Sequence, residues 1–81
     1  MARILVADDS NTDLAFIREI LKDTRHEILI ATDGESAEHQ ARTAAPDLIV
    51  LDVIMPGKNG FQVCRDLKRD DRFKHIPIIL V

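Results

Sequence analysis

The stretch that most constrains the fold is residues 46–60, where four consecutive apolar residues, Leu48 to Leu51, lead directly into a single acid, Asp52. An uninterrupted apolar run of this length is typical of a strand buried on both faces, as in a parallel sheet. Pro56 and Gly57 predict the turn that ends this strand. An acid at the carboxyl end of such a strand lies where open α/β sheets place their ligand sites. The simpler interpretation is that Asp52 only caps the next turn.

Two more acids in an equivalent position favour the site interpretation. Asp8 and Asp9 directly follow the apolar run Ile4 to Ala7, which predicts the first strand. Capping of the next helix would explain them, but residues 10–12 (Ser-Asn-Thr) are good caps by themselves. The two acids therefore need another explanation. The helix after them is predicted to be amphipathic and about three turns long, with its apolar residues at helical spacing: Leu14, Ile17, Ile20 and Leu21.

The rest of the chain continues the alternation of predicted strands and helices. Residues 35–45 predict a second helix, with alanines forming a small-residue face and Pro46 stopping it. Gly60 opens a predicted third helix with Phe61, Cys64 and Leu67 on one face, which makes Phe61 and Cys64 candidates for the core. The small-residue face of the second helix consists of Ala37, Ala41 and Ala44. The remaining predicted strands are Glu27 to Ala31, Asp47 to Asp52 and Ile78 to Val81.

The order β-α-β-α-β-α-β predicts an α/β fold with a parallel sheet and right-handed crossovers. If the first and third strands are neighbours, Asp8, Asp9 and Asp52 converge at the carboxyl edge of that sheet. Two like charges about 4 Å apart repel by roughly 4 kcal/mol at an effective dielectric of about 20. A divalent cation relieves this repulsion, and ligation by oxygen alone suits Mg²⁺ or Mn²⁺. The chemistry predicted is phosphoryl transfer with a carboxylate as nucleophile.

Composition excludes several other classes. The net charge of -3 and the pI near 5.5 argue against nonspecific nucleic-acid binding. The single cysteine, Cys64, forms no internal disulfide, which fits a reducing compartment. No apolar run approaches the about 20 residues of a membrane helix, and the first residues lack a signal-peptide pattern. We therefore expect one cytoplasmic domain that contacts neither membrane nor nucleic acid.

Four segments together resemble the receiver domain of two-component response regulators, over the whole chain. They are Ile4 to Ser10, Ala31 to Gly34, Pro46 to Gly57 with Gly60, and His75 to Ile79. The resemblance implies a flavodoxin-like, doubly wound parallel sheet with strand order 2-1-3-4. It implies a phosphorelay function rather than an enzyme, with at most Mg²⁺-dependent self-phosphorylation and dephosphorylation. The implied partner is a sensor histidine kinase or a histidine phosphotransfer protein.

The same resemblance implies a role for each matching residue. Asp52 is the phosphoacceptor, and its donor is a phosphohistidine. Asp8, Asp9 and Asp52 hold the Mg²⁺, with the backbone carbonyl of Ile54 as a further ligand. The loop beside the phosphoryl group is shaped by Met55, Pro56 and Gly57.

The resemblance also implies elements beyond strand four, including a Ser or Thr that senses the phosphoryl group and a Lys that contacts it. Neither lies within residues 1–81. We therefore expect a receiver domain that is incomplete at its C-terminus, either a fragment or a truncation. We expect impaired phosphoryl transfer and an exposed apolar edge at Ile78 to Val81, through which the chain associates with itself or which leaves it poorly folded.

Two other functions stay open at this point. One is an interaction or folding module that keeps the receiver architecture without being phosphorylated. The other is a hydrolase with an aspartyl-phosphate intermediate, which needs a second acid two residues after the nucleophile, where this chain has Ile54. Of the remaining residues, Lys58 is expected to be solvated, and Phe73 to cover the loop before strand four.

Overall fold

The sheet is parallel throughout and has the order β2-β1-β3-β4. The structure, a computed structural model, describes all of residues 1–81. The predicted strand order and the flavodoxin-like class are confirmed. The elements are β1 Arg3–Ala7, α1 Asn11–Leu21, β2 Glu27–Ala31, α2 Gly34–Ala44, β3 Leu48–Leu51, α3 Gly60–Lys68 and β4 Ile78–Leu80.

The helix boundaries follow from local capping. Ser10 caps α1 by accepting from the backbone N–H of Asp13, and Asp33 caps α2 by accepting from that of Ser36. Asn59 and Gln62 form a reciprocal capping box at α3. α2 ends one residue earlier than predicted, because Ala45, directly before Pro46, turns into the left-handed region with a φ of 46°.

The two faces of the sheet are covered unequally. α2 and α3 pack on one face around Leu5, Ile49 and Leu51, which are fully buried. α1 alone packs on the other face, where Leu48 and Val50 are only half-buried. The prediction that β3 is buried on both faces is therefore wrong for its second face, because one helix cannot cover four strands.

Helix α1 buries a narrower stripe than its sequence predicts. Leu14 is buried and Ile17 and Leu21 are half-buried, whereas Ile20 is 61% exposed. Phe16 is also exposed. The helix contacts the sheet along its Leu14 and Ile17 side, so Ile20 turns toward solvent.

Helix α3 faces the core with a different set of residues from the one predicted. Gly60, Val63 and Leu67 are buried, Cys64 is half-buried against the core, and Phe61 is 60% exposed. The prediction of Phe61 as a core residue is wrong. A Cβ at Gly60 would lie 2.5 Å from the carbonyl oxygen of Asp52, and this close approach fixes which side of the helix meets the sheet.

The aromatic ring in the core comes instead from the segment before β4. Phe73 is 7% exposed and belongs to the main core cluster, together with Ile76. The guanidinium groups of Arg42 and Arg72 lie 5.7 and 5.1 Å from the centre of its ring. Phe73 is therefore part of the core and also contacts two guanidinium groups, whereas the sequence predicted only that it covers the loop before β4.

Candidate metal and phosphoacceptor site

The three acids singled out in the sequence meet at the carboxyl edge of the sheet. Ala7 at the end of β1 pairs with Leu51 at the end of β3, so the residues that follow lie side by side. The backbone N–H of Asp52 donates to the Ala7 carbonyl at 2.9 Å. One carboxylate oxygen from each of Asp8, Asp9 and Asp52 lies within 4.8 Å of the other two. The predicted convergence is confirmed.

The three carboxylates differ in exposure. Asp8 is buried, with 7% of its surface exposed, Asp52 is half-buried, and Asp9 is exposed. Each of the less exposed pair accepts one backbone hydrogen bond: Asp8 from the N–H of Ser10 at 2.9 Å, and Asp52 from the N–H of Ile54 at 3.2 Å. No ion pair of the structure includes any of the three acids. Their charges are therefore not neutralised by the protein.

The repulsion within the cluster affects the pKa of Asp8. Burial raises the pKa of its carboxyl above the ordinary 3.8, and the charges of Asp52, Asp13 and Asp9 raise it further. The Ser10 N–H opposes both effects but does not cancel them. A buried carboxylate without a counter-charge favours its neutral form, so a cation at this edge would be stabilising.

The donor set fits a hard divalent cation. All three side chains offer oxygen, which Mg²⁺ and Mn²⁺ prefer. The carbonyl oxygen of Ile54 accepts no hydrogen bond from the protein and is free for a further contact. Ile54 is 80% exposed, and its apolar side chain offers no ligand to the site. A cation held here would neutralise the carboxylates and the charge of a phosphoryl group beside them.

Met55, Pro56 and Gly57, the residues predicted to shape the loop after Asp52, differ in burial and contacts. Met55 is 7% exposed and packs in the core. The Pro56 carbonyl accepts from the N–H of Gly34 at 3.3 Å, which ties the loop to the start of α2. Gly57 has a φ of 72°, a conformation that side chains with a Cβ rarely adopt. The loop is therefore anchored on both sides of its turn.

Lys58, in the loop after Asp52, makes ion pairs that its sequence neighbourhood does not indicate. Its side chain is 37% exposed, and its Nζ lies 2.6 Å from Glu38 Oε2 and 2.7 Å from Asp66 Oδ2. The side chain keeps the solvent contact that was expected, but its ammonium group also pairs with carboxylates from α2 and α3, which the sequence did not predict. These partners lie 20 and 8 residues away along the chain, so no local pattern could have revealed them.

A parallel four-stranded α/β sheet whose first and third strands deliver three acids to one edge defines a receiver-type signalling domain. The chain belongs to the response regulator receiver domain family, whose model matches residues 4–81. Phosphorelay in two-component signalling is the general function of this family, and its receiver domains are phosphoacceptors rather than classical enzymes.

Curated relatives support this assignment. Protein PilH of Pseudomonas aeruginosa is 41% identical over 81 residues, covering the whole of this chain and 67% of PilH. Response regulator PleD of Caulobacter vibrioides is 44% identical over 80 residues, covering 99% of this chain. The chain spans only 18% of the length of PleD.

Solved structures agree with the sequence matches. The signal receiver domain of a signal transduction histidine kinase from Syntrophus aciditrophicus superposes with a TM-score of 0.93 at 33% identity, covering all of this chain and 61% of that one. The Mn²⁺-bound form of response regulator Rcp1 superposes with a TM-score of 0.90 at 30% identity, covering 99% of this chain and 64% of that one. None of the three helices has the length and apolarity that a membrane span requires.

Proposed function

We propose that this chain accepts a phosphoryl group on the carboxylate of Asp52, from a phosphohistidine on a sensor histidine kinase or a histidine phosphotransfer protein. The observation that carries the proposal is the convergence of three carboxylates within 4.8 Å, one of them buried and none of them paired with a cation. Such an arrangement costs stability, and groups perturbed in this way cluster at functional sites.

All three acids of the cluster are proposed metal ligands, and Asp52 is also the proposed nucleophile. Asp8, Asp9 and Asp52 hold Mg²⁺, or Mn²⁺, together with the carbonyl of Ile54. Asp52 Oδ1 is oriented by the Ile54 N–H, whereas Oδ2 accepts no protein hydrogen bond and is the proposed nucleophile. Attack by Oδ2 on phosphorus forms an O–P bond as the N–P bond to the donor imidazole breaks, and the imidazole leaves with the electron pair of that bond.

The chain's own residues make the nucleophile ready without a general base. An aspartate is already ionised at neutral pH, so no proton has to be removed before attack. Two residues after Asp52, where a hydrolase of this kind needs a second acid, Ile54 offers none. We therefore propose at most slow self-phosphorylation and dephosphorylation rather than turnover of a phosphoester. A receiver that exchanges phosphoryl groups with such kinases would work in the cytoplasm.

Intact-mass spectrometry after incubation with acetyl phosphate and Mg²⁺ tests this function. We expect one phosphoryl group per chain, lost when Mg²⁺ is chelated and lost in Asp52→Asn. Asp71→Asn is the matched control, because the Asp71 side chain is 91% exposed and is not one of the converging acids, and it should be phosphorylated like the wild type. Magnesium binding without any adduct would favour a non-phosphorylated interaction module instead, and sustained hydrolysis of the donor would favour a hydrolase.

We also propose that the 81-residue chain associates with itself through β4. This strand pairs with β3 on one side only, and Ile79 and Val81 are 49% and 63% exposed. An apolar strand with an open edge is a template for pairing with another strand. Sedimentation velocity should show concentration-dependent association that Ile79→Lys abolishes. A monomer at every concentration in the wild type would refute this.

A further inference from the structure

The loop between Asp52 and α3 begins at the proposed phosphoacceptor and carries Ile54, whose carbonyl is a proposed metal ligand, so whatever holds this loop affects the chemistry. Its first part is fixed by backbone hydrogen bonds: the Gly60 N–H donates to the Val53 carbonyl at 2.9 Å, and the Val53 N–H donates to the Val81 carbonyl at 3.0 Å. Its second part, around Pro56 and Gly57, follows the buried Met55 and has one long backbone hydrogen bond, from the Gly34 N–H at 3.3 Å. The side chain of Lys58 adds two shorter attachments to this part.

Lys58 joins three elements at one point. Its ammonium group bridges Glu38 on α2 and Asp66 on α3 at 2.6 and 2.7 Å, and its backbone N–H donates to Glu35 Oε1 at 3.3 Å. The two bridging carboxylates are mostly buried, with 13% and 24% of their side chains exposed. The contact between Lys58 and Asp66 favours the charged form of each. Hydrogen bonds to Asp66 and Glu38 raise the pKa of Lys58, and Lys58 lowers the pKa of Asp66. If the lysine were removed, Asp66 and Glu38 would lose the cation that they share, and Glu38 would keep only its pair with Arg42.

The bridge is part of a longer chain of alternating charges. Glu38 also accepts from Arg42 at 3.0 Å, Arg42 donates to Asp70 at 2.6 Å, and Asp70 in turn pairs with Arg72 at 2.8 Å. The network therefore runs from the loop beside Asp52, along the outer side of α2 and α3, to the segment before β4. A network of mutually supporting pairs fixes geometry better than an isolated exposed pair does.

We propose that Lys58 is a positioning residue for the phosphoacceptor site: by bridging Glu38 and Asp66 it holds the loop so that the Ile54 backbone and Asp52 keep the spacing that Mg²⁺ requires. The inference rests on the proposed function. It assigns the Lys58 ammonium to Glu38 and Asp66 at the protein surface rather than to an incoming phosphodonor.

Positioning and simple electrostatics predict opposite effects on metal binding. Lys58→Met removes a positive charge near a cation site, so electrostatics alone predicts tighter Mg²⁺ binding. Positioning predicts weaker binding, by about tenfold, at the low end of what loss of an outer supporting contact costs in metal affinity. Lys58→Arg keeps both the charge and two-sided donation to the carboxylates, so it should retain most of the affinity.

A second variant removes the charge effect altogether. Lys58→Met/Glu38→Gln leaves the net charge unchanged and leaves fewer unpaired acids, so it should fold even if the single variant does not. Electrostatics predicts no change in Mg²⁺ affinity for this pair of substitutions, whereas positioning predicts the same weakening of about tenfold. Lys22→Met is the matched control, because Lys22 is exposed, lies at the end of α1, and pairs only with Glu19.

The experiment is a Mg²⁺ titration of the full chain followed through backbone amide resonances of Ile54 and Met55, with acetyl phosphate labelling run in parallel. The proposal is supported if Mg²⁺ binding is weaker and labelling is slower in Lys58→Met and in Lys58→Met/Glu38→Gln. Lys58→Arg and Lys22→Met should both stay close to wild type. Unchanged or tighter binding in both Lys58→Met variants, in a wild type that binds Mg²⁺ and is labelled, overturns the positioning role alone. A wild type that neither binds nor is labelled overturns the proposed function and, with it, this inference.

Discussion

The backbone N–H of Asp52 donates to the carbonyl of Ala7 at 2.9 Å, so the ladder between β1 and β3 continues past the end of β3. This hydrogen bond sets the proposed nucleophile beside the acids that follow β1. The site is therefore a direct extension of the sheet, and its geometry depends on the sheet and on the loop that leads to α3.

The first prediction concerns the cost of the acidic cluster. Asp8→Asn removes a buried charge from the cluster, and an asparagine oxygen can still accept from the Ser10 N–H. We expect the metal-free protein to become more stable by about 1 kcal/mol, within the range of single stabilising substitutions, and Mg²⁺ binding to weaken. Urea unfolding followed by circular dichroism, with and without Mg²⁺, measures both effects. Asp9→Asn is the control, and it should stabilise less because Asp9 is exposed.

The same variant has a pH dependence of known sign. Burial and neighbouring charges raise the pKa of Asp8 above 3.8, so the folded protein holds this proton more tightly than the unfolded chain does. The charged carboxylate therefore destabilises the fold above the raised pKa, and protonation relieves this as the pH falls toward 3.8. The stability advantage of Asp8→Asn should shrink over that range. An advantage that grows on acidification would contradict the cause given for it.

The strands and the convergence of the acids could be predicted because both depend on local pattern and chain order. The apolar runs before Asp8 and Asp52 mark two strands, and alternation with helices makes those strands parallel. The buried side of α3 could not be predicted in the same way. Spacings 61-64-67 and 60-63-67 both suit a helix, and the close approach of Gly60 to Asp52 decides between them.

The surroundings of Lys58 were beyond prediction for a related reason. Glu38 and Asp66 lie on two different helices, and their distance from Lys58 depends on how those helices pack on the sheet. A lone lysine in a loop is typical of a solvated surface, and nothing near it in the sequence indicates otherwise. Tertiary packing, rather than pattern, determined its role.

The second prediction compares two phenylalanines that the sequence does not distinguish. Phe73→Ala should destabilise the protein by about 3 kcal/mol, because it leaves a cavity in the core and removes the ring between Arg42 and Arg72. Phe61→Ala should change stability by less than about 0.5 kcal/mol, because its side chain is exposed. Urea unfolding at neutral pH measures both, and equal costs would place Phe61 in the core after all.

The third prediction uses acid to test the charge network. Hydrogen bonds from the Arg72 side chain and backbone lower the pKa of Asp70 far below 3.8, and Arg42 adds to this. The folded state therefore favours the ionised form, so the stability that Asp70 contributes is complete above about pH 4 and is lost as the pH falls below it. The difference in unfolding free energy between wild type and Asp70→Asn should be largest at pH 6 and decrease toward pH 3. Asp71→Asn is the control, since its exposed pair with Lys74 contributes little at either pH. A difference independent of pH would show that the charge of Asp70 is not what stabilises the fold.

The fourth prediction separates two glycines on the same loop. A Cβ at Gly60 would lie 2.5 Å from the Asp52 carbonyl oxygen, which is backbone and cannot move without moving the site. Gly60→Ala should therefore cost about 2 kcal/mol, as over-packing does, and should also slow phosphorylation of Asp52.

At Gly57 the obstacle is the flexible carboxylate end of Glu35, and the main cost is the positive φ, about 1 kcal/mol for a residue with a Cβ. Gly57→Ala should lose less stability and keep more of the labelling rate. Urea unfolding and acetyl phosphate labelling of both variants measure this, and a larger loss at Gly57 on both measures would mean that the turn, rather than the approach of α3 to the Asp52 backbone, controls the site.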